Sequence, residues 1–432
     1  MIFPAIGEVR VEAESGFGSE VQRRRRAIEL VDQGVAKAVV ADRVGRSRWW
    51  VDKWVKRFRA HGDGGLVDRP RTPLRQPTKT TPAVVAEILE VRDRLDADPV
   101  ASVGALTILA EMERDGFTPI PSTATIERIL RHNDRTRART KRQRTGIRLP
   151  LPVVTTPGVW QQADWVQDRW LAGGIRYNSL QIGDVGSHGV AAGQYLDRRL
   201  LTAVTFLIER AWPTLSIPSA MGTDNAFSST THPNNPFTIW VKACLYFGVE
   251  VIIGPPGGLG WTNHVESVNN LWQDRTIWVD HFDSLTALRQ GSNRAVGWLN
   301  TRRPILDPDL CGTRYPSDYI RANQHQLRWP PTFTIDDHLD QRGNLAIPLA
   351  AGRITFIRHI TEHHTITVAG VDWPVPDSAP IGGLVTATIT TNNHRLEIRR
   401  QGEPVKRFDY PINHPIVAPY YPPTPRSLIH HV

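Results

Sequence analysis

Cysteine is nearly absent from this 432-residue sequence, which contains only Cys244 and Cys311. Two cysteines cannot build a disulfide framework or a cysteine-rich zinc site, and such scarcity is typical of a reducing compartment. Long hydrophobic runs are missing too, since no apolar stretch reaches the roughly 18 residues that a membrane-spanning helix needs. The first residues lack the pattern of a secretory signal. The sequence therefore predicts a soluble cytoplasmic protein without a membrane partner.

Acidic residues are in the minority: the chain has 43 Asp and Glu against 52 Lys and Arg, which gives a formal net charge of +9. The basic excess is confined to two segments. Residues 21–60 contain 12 basic and 4 acidic residues, and residues 131–148 contain 8 basic residues and 1 acidic residue. The rest of the chain is therefore net acidic. Such localised basic charge predicts a polyanionic partner, namely DNA.

The first basic segment has the pattern of a helix-turn-helix domain, which we place at residues 1–62. Two short helical patterns precede a break at Gly45, after which Ser47 is a good N-cap for a basic third helix. In helix-turn-helix domains the helix after the turn enters the major groove of DNA. The alternative is a small helical bundle whose charges only solvate its surface. The DNA contacts predicted here are Arg46, Ser47, Arg48, Trp49, Lys53 and Arg57.

A second helical module is predicted at residues 81–131, after a linker at residues 63–80 that contains Gly and Pro. Thr81 is followed by proline, which is the order of an N-cap and a first helical residue, and we interpret this module as a second helix-turn-helix domain. Residues 132–154 form a basic linker, for which we predict contacts to the phosphate backbone. The alternative is a solvated linker. The contacts predicted in this linker are Arg135, Arg137, Arg139, Lys141, Arg142 and Arg144.

The pattern changes to strands and helices in residues 155–325. Three strand-like segments are followed by alternating helices and strands, which predicts a mixed α/β sheet covered by helices. Short β-like runs in residues 332–414, among them Phe333–Leu339, predict a small β-barrel. The Pro-rich segment 415–432 is predicted to be a disordered tail. The predicted fold class is multidomain, with all-α N-terminal modules, a central α/β core and a C-terminal small β-barrel.

Three acids of the central region lie where strands end or helices begin. Asp164 belongs to a strand-like segment, Asp224 ends a short strand, and Glu266 is in the first turn of a helix that follows a loop rich in Gly and Pro. Carboxylates from separate elements are ligands that Mg²⁺ prefers. Two such ions can activate a nucleophile and stabilise a leaving oxygen in phosphoryl transfer. We therefore predict that these three acids form a catalytic divalent-metal site.

Each acid also has a structural interpretation. Glu266 follows Asn263 at the spacing of an N-terminal capping pair. Asp224 can form a turn, and Asp164 can be an acid at a strand edge that faces solvent. Asp184, in a neighbouring strand-like segment, is an alternative candidate for the first acid. The joint placement of the three acids on successive elements favours the metal site.

Residues 150–320 resemble the RNase H-like catalytic core of retroviral-integrase-type transposases, the Asp-Asp-Glu recombinases. The resemblance lies in the first-strand acid Asp164, the Asp-Asn pair that begins at Asp224, and Glu266 in the sequence Asn-His-Val-Glu-Ser. Residues 65–73 are also similar to the signature Gly-Leu-x-Asp-Arg-Ser-Arg-x-Pro of bacterial insertion-sequence transposases. In those proteins the signature follows the first helix-turn-helix domain.

The resemblance implies a DNA transposase or integrase that binds transposon ends and catalyses metal-dependent strand cleavage and strand transfer. In that family the two Asp residues and the Glu bind Mg²⁺, for which Mn²⁺ is a substitute. The implied partners are double-stranded DNA, both transposon ends and target, further copies of the chain on that DNA, and accessory transposition proteins. The implied location is the cytoplasm of a bacterium, in association with the nucleoid.

Departures from the family's pattern leave other functions open. Ala226 stands where Gly is common after Asp-Asn, and Thr262 with Asn263 stands where Asn-Gly is frequent. The spacing between the second and third acids is longer than usual, which predicts an insertion at residues 227–236. One alternative is therefore a catalytically inactive DNA-binding regulator or transposition assembly protein with an integrase-like core. Another is a structure-selective nuclease that cuts DNA without joining it.

Overall fold

A computed structural model describes residues 19–69, 79–136, 154–227, 237–256, 261–278, 280–305 and 315–423 of the chain. The chain divides into two compact units, Met1–Lys79 and Thr80–Val432. None of the described helices combines the length and the apolar character that are needed to cross a membrane.

The first unit contains three helices around a small hydrophobic core. The helices are α1 (Glu20–Asp32), α2 (Lys37–Arg43) and α3 (Arg48–His61). Ala27 of α1, Val40 of α2 and Trp54 of α3 are buried together in this core. The Ser47 hydroxyl accepts a hydrogen bond from the backbone N–H of Trp50, which confirms Ser47 as the N-cap of α3.

The first helical domain extends past its predicted end. A 3₁₀ turn, Gly62–Leu66, follows α3, and the Leu66 side chain is completely buried among the three helices. A Cβ atom on Gly65 would lie 2.4 Å from the carbonyl oxygen of Arg57, so this close approach of two backbone segments requires glycine. The first residues of the predicted linker 63–80 therefore belong to the folded domain.

The second unit begins with the second helical module. Its helices are α4 (Pro82–Asp96), α5 (Ala105–Arg114) and α6 (Thr123–His132). Their hydrophobic core also includes Trp298 and Leu299 from a later helix. Glu111 of α5 is only 1% exposed and forms an ion pair with Arg302 at 2.6 Å. The module is therefore packed against the rest of the second unit and shares a core with it.

A nine-stranded sheet forms the centre of the second unit. Its first five strands are β1 (Trp160–Trp170), β2 (Arg176–Asp184), β3 (Val190–Tyr195), β4 (Ala220–Thr223) and β5 (Glu250–Ile253). Strands β1, β2 and β3 pair antiparallel, whereas β4 and β5 run parallel to β1. The order β5-β4-β1-β2-β3 confirms the predicted mixed α/β core. Ligand sites of open α/β sheets lie beyond the carboxyl ends of parallel strands.

Helices pack against this sheet. They are α7 (Leu200–Phe206), α8 (Trp212–Leu215), α9 (Ile239–Tyr246), α10 (Asn263–Arg275), α11 (Leu285–Thr301) and α12 (Pro316–Ala322), and a π-helical turn, Leu207–Ala211, joins α7 to α8. Side chains alternate between the two faces of a strand. Along β1, Ala163 and Trp165 face the large core cluster. Gln162 and Asp164 lie on the other face, towards α10.

The C-terminal region adds short strands, and four of them extend the central sheet. The strands are β6 (Leu349–Ala350), β7 (Arg353–His359), β8 (Thr365–Val368), β9 (Val371–Pro374), β10 (Leu384–Thr390), β11 (Arg395–Arg400), β12 (Glu403–Asp409) and β13 (Ile416–Val417). Strand β7 pairs in parallel with β5, and β10, β11 and β12 follow it antiparallel. The strand-rich character of residues 332–414 is confirmed. The predicted small barrel is not confirmed. Among the described strands, β7, β10, β11 and β12 belong to a large sheet that does not close, since β12 and β3 are its two edges.

One of the predicted C-terminal strands is a helical turn. The run Phe333–Leu339 contains a 3₁₀ turn, Ile335–His338, in which Ile335 is the buried side chain. A single buried apolar residue between polar neighbours is compatible with a short strand or with a turn. The alternation of apolar and polar residues could not distinguish the two.

Part of the predicted disordered tail is packed on the core. Strand β13 pairs with β6, and the ring of Tyr420 stacks on that of Tyr246 with centroids 5.3 Å apart. Aromatic side chains on α9 therefore hold a segment whose proline content alone indicated disorder. Residues 424–432 lie outside the described residues.

Candidate active site and DNA-binding surface

The three acids predicted to bind metal lie on neighbouring elements. Asp164 is in the middle of β1, Asp224 directly follows β4, and Glu266 is in the first turn of α10. In the parallel pairing of β1 with β4, Gln162 is opposite Gly222, and this register continues to place Asp164 level with Asp224. The charges of Asp224 and Glu266 both act on Asp164. The structure thus brings the three carboxylates into one neighbourhood.

Asp164 is held by two hydrogen bonds. One carboxylate oxygen accepts from the backbone N–H of Trp165 at 2.8 Å, and the other accepts from the side-chain amide of Asn269 on α10 at 2.7 Å. Burial, followed by the negative charge of Asp224, raises the pKa of Asp164 to about 6. The negative charge of Glu266 also raises the pKa of Asp164.

The second and third acids make local contacts. One carboxylate oxygen of Asp224 accepts from the N–H of Ala226 at 2.9 Å, and burial raises the pKa of Asp224. Glu266 accepts from the Thr262 hydroxyl at 3.0 Å. The alternative in which Asn263 and Glu266 form a capping pair does not hold, because α10 begins at Asn263 and Thr262 is its N-cap residue.

Gln162 is a residue of the site that no sequence motif revealed. Its side-chain oxygen accepts from the backbone N–H groups of His264 and Val265, both at 3.2 Å, and its amide donates to the Trp261 carbonyl at 3.1 Å. The side chain of the N-cap residue Thr262 accepts no hydrogen bond from the backbone N–H groups of α10, so Gln162 satisfies N–H groups that a helix start leaves without a partner. The sequence could have indicated Gln162 as a residue of the site, because it lies two residues before Asp164 and therefore on the same face of β1.

Two further residues bring α10 close to the sheet. Gly183 of β2 is opposite Gln162 in the strand pairing, and a Cβ atom there would lie 2.8 Å from the His264 ring. Asn269, which donates to the first acid, lies three residues after Glu266. Residues at this spacing share one side of a helix, so the spacing could have identified Asn269 as a candidate residue of the site.

The three carboxylates are chemically suitable ligands for a hard divalent cation. Carboxylate oxygens are the ligands that Mg²⁺ takes in proteins, and three carboxylates share this neighbourhood. Among the described residues, no three histidine, cysteine or acidic side chains are gathered closely enough to enclose a metal ion. Metal binding would therefore require the carboxylates to draw together.

Asp184, the alternative first acid, has a structural role. It is completely buried at the end of β2. One of its carboxylate oxygens accepts from the backbone N–H of Gly158 at 2.9 Å, and the other accepts from the N–H and the hydroxyl of Ser187, both at 2.7 Å. Because both oxygens are engaged in a buried turn, Asp184 is not a ligand candidate.

Helix α3 presents an exposed surface with basic and aromatic side chains. Trp49 is 71% exposed, and Arg48 and Lys53 are exposed near it. The Lys53 ammonium lies 5.4 Å from the Trp49 ring centre. Trp49, Lys53 and Lys56 help to line a surface cavity of about 440 Å³. Lys56 was not predicted, although its spacing of three residues from Lys53 places it on the same side of the helix.

The other three predicted contacts of the first domain have partners within the domain. Arg46 forms an ion pair with Glu20 at 2.5 Å, and Ser47 caps α3. Arg57 donates to the carbonyl oxygen of Val67 at 2.8 Å. The partners of Arg46 and Arg57 lie before and after α3, so the helical pattern of α3 does not contain them.

One predicted contact of the basic linker lies within the described residues. Arg135 pairs with Asp93 of α4 at 3.2 Å, and about half of each side chain is exposed. The other predicted contacts, Arg137, Arg139, Lys141, Arg142 and Arg144, lie outside the described residues.

Two families described as homeodomain-like domains match the N-terminal part of the chain. One match covers residues 19–67 and therefore contains α1, α2 and α3. The other covers residues 50–130 and extends from α3 to α6. Homeodomains are helix-turn-helix domains, a DNA-binding fold, so the predicted helix-turn-helix class is confirmed. Comparison with curated proteins finds no match.

Solved structures similar to the chain include viral proteins. The chain of a simian T-cell lymphotropic virus intasome in complex with PP2A regulatory subunit B56 gamma is 16% identical, with 66% of this chain and 88% of that chain covered and a TM-score of 0.34. The HTLV-2 integrase catalytic core domain in complex with magnesium is 14% identical, with 38% and 97% covered and a TM-score of 0.27. The BIV integrase catalytic core domain is 15% identical, with 39% and 97% covered and a TM-score of 0.29. No family membership follows from similarity at this level.

Proposed function

We propose that the chain is a DNA transposase or integrase that cleaves transposon ends and joins them to target DNA. The observation that carries the proposal is the grouping of Asp164, Asp224 and Glu266 on β1, after β4 and at the start of α10. The homeodomain-like helix-turn-helix domains supply the DNA-binding part. The sequence around all three acids, which resembles that of retroviral-integrase-type transposases, also supports the proposal.

The three carboxylates would hold Mg²⁺, with Mn²⁺ as a substitute. A bound divalent metal supplies activation of the attacking oxygen and stabilisation of the leaving oxygen in phosphoryl transfer. Residues of the chain orient the three acids. Asn269 and the Trp165 N–H fix the Asp164 carboxylate, and Gln162 fixes the start of α10, which carries Glu266. These contacts fix the position of Asp164 on β1 relative to Glu266 on α10.

Two successive phosphoryl transfers take place at this site. In the first, a water oxygen attacks the phosphorus at the end of the element, and the bond from phosphorus to the 3′ oxygen breaks. The water loses a proton, and the leaving oxygen takes one to become a 3′-hydroxyl. In the second, that hydroxyl loses its proton and its oxygen attacks a phosphorus of target DNA, the bond from that phosphorus to the 3′ oxygen of the target strand breaks, and this leaving oxygen takes a proton to become a 3′-hydroxyl. One phosphorus–oxygen bond forms and one breaks in each step.

Binding of the transposon ends is assigned to the helical modules. The exposed face of α3 enters the major groove, where Arg48 and Trp49 read base edges and Lys53 neutralises phosphate. The second helix-turn-helix module and the basic linker at residues 132–154 contact the phosphate backbone, which carries most of the salt-dependent affinity for DNA. Several copies of the chain join two ends, together with accessory transposition proteins, in association with the bacterial nucleoid.

A strand-transfer assay with the element's own terminal DNA tests the proposal. We expect joined product in the presence of Mg²⁺ or Mn²⁺ and no product after chelation. Asp224→Asn and Glu266→Gln should each abolish joining, because each removes a charged oxygen ligand while it preserves the shape of the side chain. Affinity for the terminal DNA, measured by fluorescence anisotropy, should remain unchanged.

Asp168→Asn is the matched control. Asp168 lies on β1 with the first acid, its side chain is 55% exposed, and it pairs with Arg176. Its φ of 54° is tolerated by asparagine, so the variant should join DNA as the unmodified chain does. Joining by Asp224→Asn would contradict the proposal. Salt-sensitive binding without cleavage would favour the inactive regulator or assembly protein, and cleavage without joining would favour the nuclease.

A further inference from the structure

Arg358 of the C-terminal strand β7 reaches the end of the sheet at which the second acid lies. Its guanidinium donates to the side-chain oxygen of Asn225 at 2.7 Å and to the carbonyl oxygen of Gly254 at 2.9 Å. It donates to two further carbonyl oxygens of the C-terminal region. The residue is only 7% exposed. Asn225 directly follows Asp224 and Gly254 directly follows β5, so one buried side chain links both positions.

The pairing of β7 with β5 delivers Arg358 to this place. In the parallel register, Val251 is opposite Ile354 and Ile253 is opposite Phe356. Arg358 therefore lies two residues beyond the last pair, where β5 has ended. Because β4 is the next strand in the sheet, the long side chain can cross the end of β5 and reach the turn that follows β4.

The burial of this cation is compensated by neutral acceptors. Among the described residues, the hydrogen-bond acceptors of Arg358 are carbonyl and amide oxygens, and none is a carboxylate. Burial lowers the pKa of Arg358 to about 10, and at neutral pH the guanidinium stays charged. Arginine presents several N–H donors in a planar fork, whereas lysine presents one compact ammonium group. The contacts to Asn225 and Gly254 together therefore require arginine.

We propose that Arg358 is a positioning residue for the acidic site, so that the C-terminal extension of the sheet is part of the catalytic machinery. The inference rests on the function proposed above and deepens it. Through Asn225, Arg358 holds the turn in which Asp224 accepts from the Ala226 N–H. Through Gly254, it holds the point where the chain leaves β5 on its way to α10.

The variants Arg358→Lys and Arg358→Met test this role, with Arg353→Met as the matched control. Arg353 begins the same strand, its side chain is 37% exposed, and its partner Glu250 lies 3.7 Å away. Lysine retains the charge and the stem of Arg358 but loses the planar fork, whereas methionine loses both charge and fork. All measurements use the full chain.

The first measurement is hydrogen–deuterium exchange of the metal-free protein, which does not depend on catalysis. We expect faster amide exchange in peptides that cover residues 220–227 and 250–256 in both Arg358 variants. Exchange in β1 should stay as in the unmodified chain. Arg353→Met should leave the peptide over residues 220–227 unchanged, because the ion-pair partner of Arg353 is Glu250 at the start of β5.

The second measurement is Mn²⁺ binding by electron paramagnetic resonance, together with strand transfer. Residues that orient ligands from outside the coordination sphere typically affect metal affinity or activity by about 10–100-fold, and we expect a loss in this range for Arg358→Lys. Affinity for terminal DNA should not change. If Arg358 acts through Asn225, the double variant with Asn225→Ala should lose little more than Arg358→Lys alone.

Three outcomes decide the matter. Unchanged exchange and unchanged Mn²⁺ affinity in Arg358→Lys would overturn the proposal. Faster exchange across the whole sheet in both Arg358 variants would also overturn it, since that result would assign Arg358 to general stability. The third outcome is an unmodified chain that shows no strand transfer, together with Arg358 variants that show faster exchange only at residues 220–227 and 250–256. That result would refute the proposed function but would support Arg358 as the residue that holds the turn after β4 and the end of β5.

Discussion

Buried amide side chains at the acidic site connect elements that are distant in the sequence. Gln162 is 1% exposed and Asn269 is 7% exposed. The first hydrogen-bonds to the start of α10, and the second donates to Asp164 from the same helix. An unsatisfied buried donor or acceptor costs about 1–3 kcal/mol. Gln162 and the amide nitrogen of Asn269 avoid that cost only while β1 and α10 keep their present separation, and the placement of the first acid relative to the third depends on the same separation.

Gln162→Leu should weaken catalysis and leave DNA binding intact. The change removes the acceptor for the N–H groups of His264 and Val265 and the donor to Trp261. We expect strand transfer to fall by about 10–100-fold, the usual effect of lost orienting contacts at metal sites. Gln162→Glu retains the acceptor next to a helix N-terminus, where negative charge is favourable, and should lose less. Rates of strand transfer at saturating DNA measure both effects.

Gln167→Leu is the control for this pair of variants. Gln167 is exposed on the same strand, and its side chain accepts from Arg198 at 2.5 Å. We expect its activity to match that of the unmodified chain. Equal activities for Gln162→Leu and Gln167→Leu would contradict a role for Gln162 in placing α10.

At the scale of the element, α3 separates a buried face from an exposed one. Val51, Trp54 and Val55 are buried in the domain core, while Trp49 and Lys53 are exposed. The exposed pair combines an apolar ring with a cation. Apolar groups can contact the thymine methyl in the major groove, and lysine neutralises phosphates. The two side chains should therefore contribute differently to DNA binding.

Trp49→Ala should lower the affinity for terminal DNA by about 1–3 kcal/mol and affect scrambled DNA little, as expected for a base contact. Lys53→Met should weaken binding to both DNAs alike and reduce the salt dependence of the binding constant by about one unit of slope. Fluorescence anisotropy titrations of both DNAs at several salt concentrations measure these effects.

Trp170→Ala is the control for the loss of an exposed aromatic ring. Trp170 is 65% exposed and lies in the second unit, at the end of β1. Its replacement should leave the affinity for both DNAs unchanged. Equal losses on terminal and scrambled DNA for Trp49→Ala would remove Trp49 from base recognition.

At the scale of the whole molecule, the nine-stranded sheet of the second unit continues from β3 through the core strands to the C-terminal strand β12. Strand β7 pairs with β5, and the buried cluster that contains Val251 and Ile253 also contains Ile354, Ile389 and Ile398 from the C-terminal strands. Removal of these strands would expose both an apolar surface and the unpaired edge of β5. Such edges promote aggregation.

A fragment of residues 80–340 should therefore fail to fold cooperatively, although it contains all three acids. We expect aggregation in size-exclusion chromatography and no cooperative thermal transition. The control fragment, residues 80–432, lacks only the first unit, which has its own buried core. That fragment should unfold cooperatively. A cooperative transition in the shorter fragment would show that the core is independent of the C-terminal strands.

The sequence by itself determined the local features of the molecule. Ser47 caps α3 and Thr81 caps α4 as predicted. Caps and periodicities depend on residues a few positions apart, so they can be identified without the fold. The sequence also predicted Asp164 on a strand, Asp224 at the end of a strand and Glu266 in the first turn of a helix, and the structure has them there. Their role as metal ligands stays a prediction.

Tertiary structure alone decided which distant residues meet. Gln162 contacts His264 across 102 positions, and Arg358 contacts Asn225 across 133 positions. The alternation within a strand shows that it has two faces, but it does not show which strand lies beside it. For that reason the C-terminal strands were predicted as a separate barrel, although four of them continue the central sheet. Strand pairing is a long-range property, set by the burial of many apolar side chains at once.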